Sequence, residues 1–266
     1  VFRLMFLGDS VTLGAGLKPQ EAYPQVLQAR FDEEGRPVEV FNLALWGWST
    51  RQERLAWQKL GRKYRPDLVV LGVCLNDIPE LQNNLAQPPR WIAALHERSA
   101  LVRGIVNAQA REIQSVEQLF VSPEPAKVKE GFDRLFAELR SLRDEVQAAG
   151  AEFAVLVFPF RFQVLAGAPP PTAQARIAEF CGRDGLRCLD LLPAVAKAGQ
   201  PAFVDYDHFS AQGAQIVAEE VQRAGVLPVT LVSARERLAA FASAHEGNGL
   251  AAWLDGKGSG QSALSA

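Results

Sequence analysis

A serine on a glycine-bounded turn is the first feature of the sequence that suggests chemistry. The apolar run from Phe2 to Leu7 leads into Gly8-Asp9-Ser10, and further glycines follow at positions 14 and 16. In an open parallel sheet, active sites form at the carboxyl ends of strands, so Ser10 is placed to act as an exposed nucleophile. The alternative is that Ser10 only caps the helix that follows. The turn is not a G-x-S-x-G elbow, because position 12 is threonine.

A serine nucleophile needs a base, and the chain contains three histidines, His96, His208 and His245. His96 lies in an insertion and His245 in a polar tail, where we expect exposed surface side chains. In a tight loop, a carboxylate three residues before a histidine can accept a hydrogen bond from its Nδ1–H and fix the tautomer. The spacing therefore favours His208 as the base and Asp205 as its partner. Asp207, adjacent to the histidine, is expected to point elsewhere and is interpreted as a turn residue or a surface charge.

Acyl transfer also needs hydrogen-bond donors where negative charge develops on the carbonyl oxygen. Gly47 follows the second apolar run and can present its backbone N–H, because no side chain obstructs the approach. Asn76 follows the third apolar run, and its amide can reach over the same crevice. The alternatives are an ordinary turn glycine and an ordinary turn asparagine.

Three further residues near these positions could be interpreted as parts of another kind of site. Asp9 and Asp77 could suggest a metal site or acid–base chemistry, but we expect their carboxylates to hydrogen-bond the turn backbones that carry Ser10 and Asn76. Cys74 is interpreted as a small buried residue rather than a nucleophile, because no histidine is adjacent to it in sequence.

The elements that must position these residues are short apolar runs that alternate with helix-like stretches. This alternation predicts a parallel sheet covered by helices on both faces. The predicted strands are Phe2–Leu7, Val38–Leu43, Asp67–Val73, Glu152–Phe158 and a weaker Leu186–Leu191.

Three helices are predicted from capping signals and periodicity. Capping-box spacing at positions 49–53 predicts a helix over 50–64. Apolar side chains spaced by three and four from Val128 to Val146, followed by Gly150, predict an amphipathic helix. Ser210 is placed to cap a last helix that ends before Gly225.

The pattern predicts one sheet domain over residues 1–227, interrupted by a helical insertion at about 78–125. Long insertions after a strand often form lids or binding walls, and packing alone is an equal alternative. Residues 228–266 are predicted to form an extension with a short helix at 233–244 and a flexible Gly/Ser/Ala-rich tail.

Composition excludes several classes of protein. The 266 residues are 48% hydrophobic and 22% charged, which excludes disorder over most of the chain. A formal net charge of −2 without a Lys/Arg stripe argues against nucleic acid as a partner. Three cysteines form neither a disulfide framework nor a zinc cage.

The sequence leaves the compartment open. No apolar run approaches the roughly 20 residues that cross a bilayer. The chain begins at Val1 inside an apolar run, so its start looks trimmed, and a location in the cell envelope is favoured only if a leader once preceded Val1.

Taken in order, these segments resemble the GDSL or SGNH hydrolase superfamily. The matching blocks are Gly8-Asp9-Ser10, Gly47 with Asn42 upstream, Asn76-Asp77, and Asp205 with His208. The resemblance covers about residues 1–225 and is looser across the insertion. One position departs from the family pattern: the third block usually begins with glycine, and Cys74 stands there. This departure bears on the geometry of the Asn76 donor.

The resemblance implies a flavodoxin-like three-layer α/β/α sandwich and an esterase that needs no metal or other cofactor. Ser10 would be the nucleophile, His208 the base and Asp205 its orienting partner. The oxyanion hole would comprise the N–H groups of Ser10 and Gly47 and the side chain of Asn76.

The expected substrate is a small-acyl or carbohydrate-linked ester. Trp46, Trp48 and Trp91 could form a platform for a sugar or a wall for an acyl chain, although tryptophan is ordinarily buried by packing. Two alternatives stay open. One is an O-acyltransferase that modifies a polysaccharide with the same triad, and the other is a non-catalytic binding module with a degenerate site.

Overall fold

Five parallel strands form the sheet that carries the candidate residues. The computed structural model describes residues 1–78 and 115–228. Within them the strand order is β2-β1-β3-β4-β5, which is the flavodoxin-like order. The strands are β1 (Phe2–Gly8), β2 (Val38–Ala44), β3 (Leu68–Cys74), β4 (Glu152–Phe158) and β5 (Arg187–Asp190). The predicted α/β class is confirmed, and each predicted strand is present within two residues of its expected ends.

Helices cover both faces of this sheet. On one face α3 packs beside α4, and Phe136 of α4 stacks on Phe180 of α5 with ring centroids 4.2 Å apart. On the other face, Arg30 of α2 donates to Gln215 of α7 at 3.4 Å. The helices are α1 (Ser10–Leu13), α2 (Tyr23–Glu33), α3 (Thr50–Lys59), α4 (Ala126–Ala148), α5 (Thr172–Arg183), α6 (Leu192–Ala196) and α7 (Ala211–Arg223). The three-layer arrangement expected from the sequence is therefore present.

The predicted helices over 128–146 and after Ser210 are confirmed as α4 and α7, and the prediction over 50–64 is corrected at its end. The α-helix stops at Lys59, and a 3₁₀ turn at Gly61–Tyr64 completes the segment. A Cβ on Gly61 would lie 2.9 Å from the Trp57 ring and 3.2 Å from Met5 Sδ. The backbone therefore approaches β1 too closely at this point for a regular helix with a side chain to continue.

The chain divides into two compact units, Val1–Glu220 and Val221–Ala266. The first contains the sheet. Of the second, the structure describes residues 221–228, which comprise the end of α7 and the segment to Pro228. The predicted helix at 233–244 and the tail lie outside the described residues, as does most of the predicted insertion. None of the described helices is long and apolar enough to span a membrane.

A close packing of strands around Thr12 supports the carboxyl ends of β1 and β3. Thr12 is fully buried, and its Oγ1 would lie 2.2 Å from a Cβ on Gly8 and 2.4 Å from a Cβ on Gly72. Tyr23 of α2 donates its hydroxyl to Thr12 Oγ1 at 3.2 Å. Two glycines on neighbouring strands thus leave the space in which this threonine packs.

Replacing Gly72 with alanine is expected to destabilise the protein. Alanine is ordinarily the better residue inside a strand. Here its Cβ would meet Thr12 Oγ1 at 2.4 Å and the Phe158 ring at 2.5 Å. Overpacking of this kind costs about 1–3 kcal/mol of unfolding free energy, which urea denaturation measures.

Gly182→Ala is the matched control, because its Cβ would meet nothing within 4 Å and the residue lies in α5. We expect it to be neutral or to stabilise by up to about 1 kcal/mol. Equal denaturation midpoints for Gly72→Ala and the wild type would contradict the packing argument.

Candidate active site

Ser10 is fixed by a turn that begins where β1 ends. Asp9 is the N-cap of α1, and its Oδ1 accepts the Val11 N–H at 2.9 Å. Ser10 is the first residue of α1, and only 5% of its surface is exposed. Both the serine and its cap therefore lie at the carboxyl edge of the sheet.

His208 is held by a tight turn that starts at Asp205. Asp205 Oδ1 accepts the backbone N–H groups of Asp207 at 3.1 Å and His208 at 2.9 Å. Its other oxygen, Oδ2, lies 2.8 Å from His208 Nδ1. On the far side of the ring, His208 Nε2 lies 2.9 Å from Ser10 Oγ. The structure thus brings together the serine, histidine and aspartate that the sequence singled out.

The charge of Asp205 suits it to orient the imidazole. Partial burial acts to raise the pKa of Asp205. The hydrogen bonds from the His208 backbone N–H, the His208 ring and the Asp207 N–H act in the opposite direction and lower it overall. The carboxylate is therefore ionised at neutral pH and accepts the Nδ1–H. With that proton on Nδ1, Nε2 is left as an acceptor for the Ser10 hydroxyl.

Asp207 lies in the Asp205 turn, as one of its two interpretations has it, but the expectation that its side chain points elsewhere as a surface charge is wrong. Asp207 is 1% exposed, and its Oδ1 lies 3.0 Å from His208 Nδ1. Because Asp205 accepts two successive backbone N–H groups, the turn is tight enough to fold the Asp207 side chain inward. Two carboxylates therefore face the same edge of the imidazole.

Asp205, Asp207 and His208 are also the only group of three side chains, among the residues that the structure describes, arranged as metal ligands. Their ligand atoms lie within 4.8 Å of one another. His208 Nδ1 already lies at hydrogen-bonding distance from Asp205 Oδ2, at 2.8 Å. A metal ion bound at Nδ1 would have to replace that bond.

Gly47 and Asn76 follow the two strands that flank β1. Gly47 adopts φ 71° in the loop after β2, and a Cβ built on it would meet nothing within 4 Å. Asn76 lies in the 3₁₀ turn Leu75–Asp77 directly after β3 and is 1% exposed. In that turn, Asp77 Oδ2 accepts the Cys74 N–H at 3.1 Å. Asn42 of β2 donates its side-chain amide to the Thr12 carbonyl at 2.9 Å.

Cys74 occupies the glycine position of the family pattern without backbone strain. Its φ of −91° and ψ of 148° are extended values that any L-residue adopts. The side chain is fully buried, as the sequence predicted. Burial, followed by the negative charges of Asp9, Asp207 and Asp77, raises the pKa of the thiol. Cys74 is therefore neutral and unreactive at ordinary pH.

Trp46 borders the site on the side of β2. Its indole is 60% exposed, and its ring centroid lies 5.3 Å from that of His208. Leu45 and Val204 nearby in the loops of the site are also exposed, by 50% and 51%. The predicted positions His96, His245 and Trp91 lie outside the described residues.

Sequence reasoning missed Thr12, Tyr23 and Glu53 as parts of the site's support. Tyr23 is buried, which raises its pKa above the usual value, and it donates to Thr12. Glu53 is fully buried in the first turn of α3. A sequence signal existed for Glu53, because it lies four residues before Trp57 and therefore on the same helix face.

Comparisons with known proteins identify the family of the chain. A family model of GDSL-like lipases and acylhydrolases matches residues 6–216. No curated protein matches the chain in sequence.

Several solved structures share the fold. The structure of TesA superposes with a TM-score of 0.53 at 18% identity, covering 86% of this chain and 99% of that one. An acetyl xylan esterase, AlAXEase, gives a TM-score of 0.56 at 15% identity, covering 84% and 99%. Axe2, an acetylxylan esterase from Geobacillus stearothermophilus, gives 0.55 at 16% identity, covering 88% and 97%.

Asp205→Asn is expected to change how stability depends on pH. The native pKa of Asp205 is lowered, so its ionised form contributes stability above the unfolded value of about 3.9, and this contribution is lost as pH falls through the native pKa. The wild type should therefore exceed the variant in unfolding free energy most at neutral pH, with the difference shrinking in acid. Urea denaturation across pH 7 to about pH 3 measures it.

Asp144→Asn is the control for this titration, because its carboxylate is 64% exposed on α4 and its partner is the adjacent Arg143. A difference between the wild type and Asp205→Asn that does not vary with pH would contradict the hydrogen-bonding account of Asp205.

Proposed function

We propose a mechanism for this chain, which belongs to the GDSL-like lipase/acylhydrolase family and is a carboxylic ester hydrolase. In the proposal, Ser10, His208 and Asp205 act as a catalytic triad through an acyl-enzyme. The observation that carries it is the continuous hydrogen-bonded chain from Asp205 Oδ2 through the imidazole to Ser10 Oγ, with links of 2.8 and 2.9 Å.

Acylation would begin when His208 Nε2 takes the Ser10 proton and Oγ attacks the ester carbonyl carbon. The imidazolium formed in this step would be stabilised by Asp205. When the tetrahedral intermediate collapses, the C–O bond to the alcohol breaks and the same proton passes to the leaving alcohol. Water, deprotonated by Nε2, would then attack the acyl-Ser10 ester, release the acid and return the proton to Ser10.

The negative charge on the carbonyl oxygen would be bound by the backbone N–H groups of Ser10 and Gly47 and the side-chain amide of Asn76. These groups follow three adjacent strands, β1, β2 and β3. A single donor of this kind is worth about 2.7–4 kcal/mol of transition-state stabilisation. The open space around Gly47 supports its assignment, because a substrate can approach its N–H.

The proposed substrates are small-acyl or carbohydrate-linked esters. The support is the exposed indole of Trp46 beside His208, since aromatic faces pack well against apolar or sugar surfaces. Two of the similar structures are acetyl xylan esterases. In this proposal the acyl group lies at Ser10, and Trp46 contacts the rest of the ester.

Ser10→Ala is expected to lower ester hydrolysis by at least about 10³-fold, because the variant lacks the nucleophile. The measurement is turnover of p-nitrophenyl acetate, together with covalent labelling by a fluorophosphonate probe. Ser141→Ala is the matched control, because that hydroxyl only donates to the Ala137 carbonyl within α4.

Full activity in Ser10→Ala would contradict the triad. Absence of labelling in the wild type would instead support the binding-module alternative. Transfer of the acyl group to an added glycan, faster than to water, would identify the acyltransferase alternative with the same nucleophile.

Trp46→Ala is expected to raise KM for acetylated xylan oligosaccharides by about 2- to 10-fold, the range that an aromatic contact of about 0.5–1.5 kcal/mol supplies. kcat/KM for p-nitrophenyl acetate should change much less, since the acetyl group does not need the indole. Leu55→Ala, which removes an exposed side chain from α3, is the control. Equal changes on both substrates would contradict a platform at Trp46.

A further inference from the structure

The buried face of α3 is polar in its first turn and apolar further along the helix. Its buried residues are Thr50, Glu53 and Trp57. Trp57 packs near Met5 of β1, where Gly61 lets the backbone come close. A helix that only covered the sheet would bury apolar residues throughout. Here the first turn of α3 buries a threonine and a glutamate instead, so this end of the helix does something other than pack.

Glu53 is fully buried, and the described part of the chain offers no partner to either of its oxygens. Neither Oε1 nor Oε2 has a hydrogen-bond partner among residues 1–78 and 115–228, and no cation of those residues pairs with it. The neighbouring Arg54 turns away to Glu138 and Glu145 of α4, at 2.6 and 2.8 Å. An isolated buried carboxylate is very costly, whereas the protonated acid costs much less. The surroundings therefore favour the neutral form of Glu53.

Glu53 lies at the same edge of the sheet as the Ser10 turn. Because α3 follows β2 and leads back to the start of β3, its first turn lies at the carboxyl edge of the sheet, where Asp9 and Ser10 also lie. The helix packs on β1, the strand that Asp9 follows. The charge of Asp9 acts on both Glu53 and Tyr23. These three buried acidic groups therefore share one neighbourhood.

Glu53 is also tied to the loop that carries Gly47. Gln52 Oε1 accepts the Ser49 N–H at 2.8 Å and the Ser49 hydroxyl at 3.1 Å. The Glu53 N–H donates to the Ser49 carbonyl at 3.0 Å. The end of the Gly47 loop is thus rigidly joined to the first turn of α3. A displacement of Glu53 would move Ser49 and, with it, Gly47.

We propose that Glu53 in its neutral form is a positioning residue that keeps the Ser10 turn and the Gly47 loop in the correct relative position, and that its ionisation disables the site. The inference rests on the proposed function, because it assigns Ser10 and Gly47 to the reaction. Ionised Glu53 would place a second negative charge beside Asp9 in a buried pocket. The repulsion would separate the two loops that must hold the same ester group.

The sign of the pH effect follows from the groups that face Glu53. Asp9 faces it from the end of β1 and Tyr23 from α2, while Glu138 and Glu145 of α4 are occupied by Arg54. Burial, followed by the charge of Asp9, raises the pKa of Glu53 well above its usual value. The native protein therefore keeps a proton that the unfolded chain releases above about pH 4.3, so this contribution to stability declines as pH rises.

The test compares pH profiles of kcat/KM for p-nitrophenyl acetate in the wild type and in Glu53→Gln. The amide is neutral at every pH and nearly the same shape. We expect the variant to lie within about threefold of the wild type near neutral pH, and only the wild type to lose activity, by tenfold or more, toward alkaline pH. Glu39→Gln, at a half-exposed acid on β2, should keep the wild-type profile.

Two measurements test the protonation of Glu53 independently of turnover. Infrared difference spectra of wild type minus Glu53→Gln should show a protonated carboxyl band at neutral pH. Urea denaturation should show the variant gaining stability over the wild type as pH rises. Superimposable pH–activity profiles, or a missing carboxyl band, would overturn the proposal.

The two failures can be told apart. If Ser10→Ala keeps full activity, the proposed function is wrong, whatever Glu53 does. If Ser10→Ala is inactive and the Glu53→Gln profile matches the wild type, only the inference about Glu53 is wrong.

Discussion

The hydrogen bond between Ser10 Oγ and His208 Nε2 is the contact on which the site depends, because it joins side chains 198 positions apart at 2.9 Å. One such bond contributes only about 1 kcal/mol and cannot by itself hold two loops together. Each partner is instead fixed by short-range bonds. Asp9 caps the turn of Ser10, and Asp205 holds the backbone and ring of His208. The sheet has only to bring two rigid turns to the same edge. The local hydrogen bonds within each turn therefore set the geometry of the contact, and the order of the strands brings the two turns together.

The electrostatics of the site follow from its buried acids. Asp9, Glu53, Asp77 and Asp207 are each exposed by 3% or less. Asp9 and Asp77 accept backbone N–H groups, and Asp207 lies against the imidazole. The carboxyl group of Glu53 is the exception, because it has no hydrogen-bond partner within residues 1–78 and 115–228. Negative charge next to Nδ1 favours an imidazolium but opposes an oxyanion. In the proposed function, two of the oxyanion donors, Gly47 and Asn76, follow β2 and β3 and so lie on chain segments other than the His208 turn.

Local signals explain what the sequence could predict. The five strands, the Ser10 turn and the spacing of Asp205 and His208 depend on residues a few positions apart, and these agree with the structure. The end of α3 was misplaced because it depends on how closely Gly61 approaches Met5, a residue more than fifty positions away. Asp207 was misread for a similar reason. Its burial follows from the whole turn folding onto Ser10, and no neighbouring residue signals that contact. The capping pattern at the start of α3 does not show that Glu53 faces the sheet, and only its spacing from Trp57 signals that it does.

The position at which the family usually has glycine, occupied here by Cys74, is not the position in β3 at which a side chain would collide with its neighbours. Residues 72 and 74 point to the same face of β3, because side chains alternate along a strand. At position 72 a Cβ would collide with Thr12 and Phe158, whereas at position 74 the extended backbone accepts a side chain. The glycine that packing demands in this strand is thus Gly72. Burial, followed by the negative charges of three aspartates, raises the pKa of the thiol at position 74 and keeps it neutral, so it adds volume without adding a competing nucleophile. A cysteine at this position is therefore compatible with the proposed serine chemistry, because burial, reinforced by the negative charge that favours the imidazolium, suppresses the thiolate.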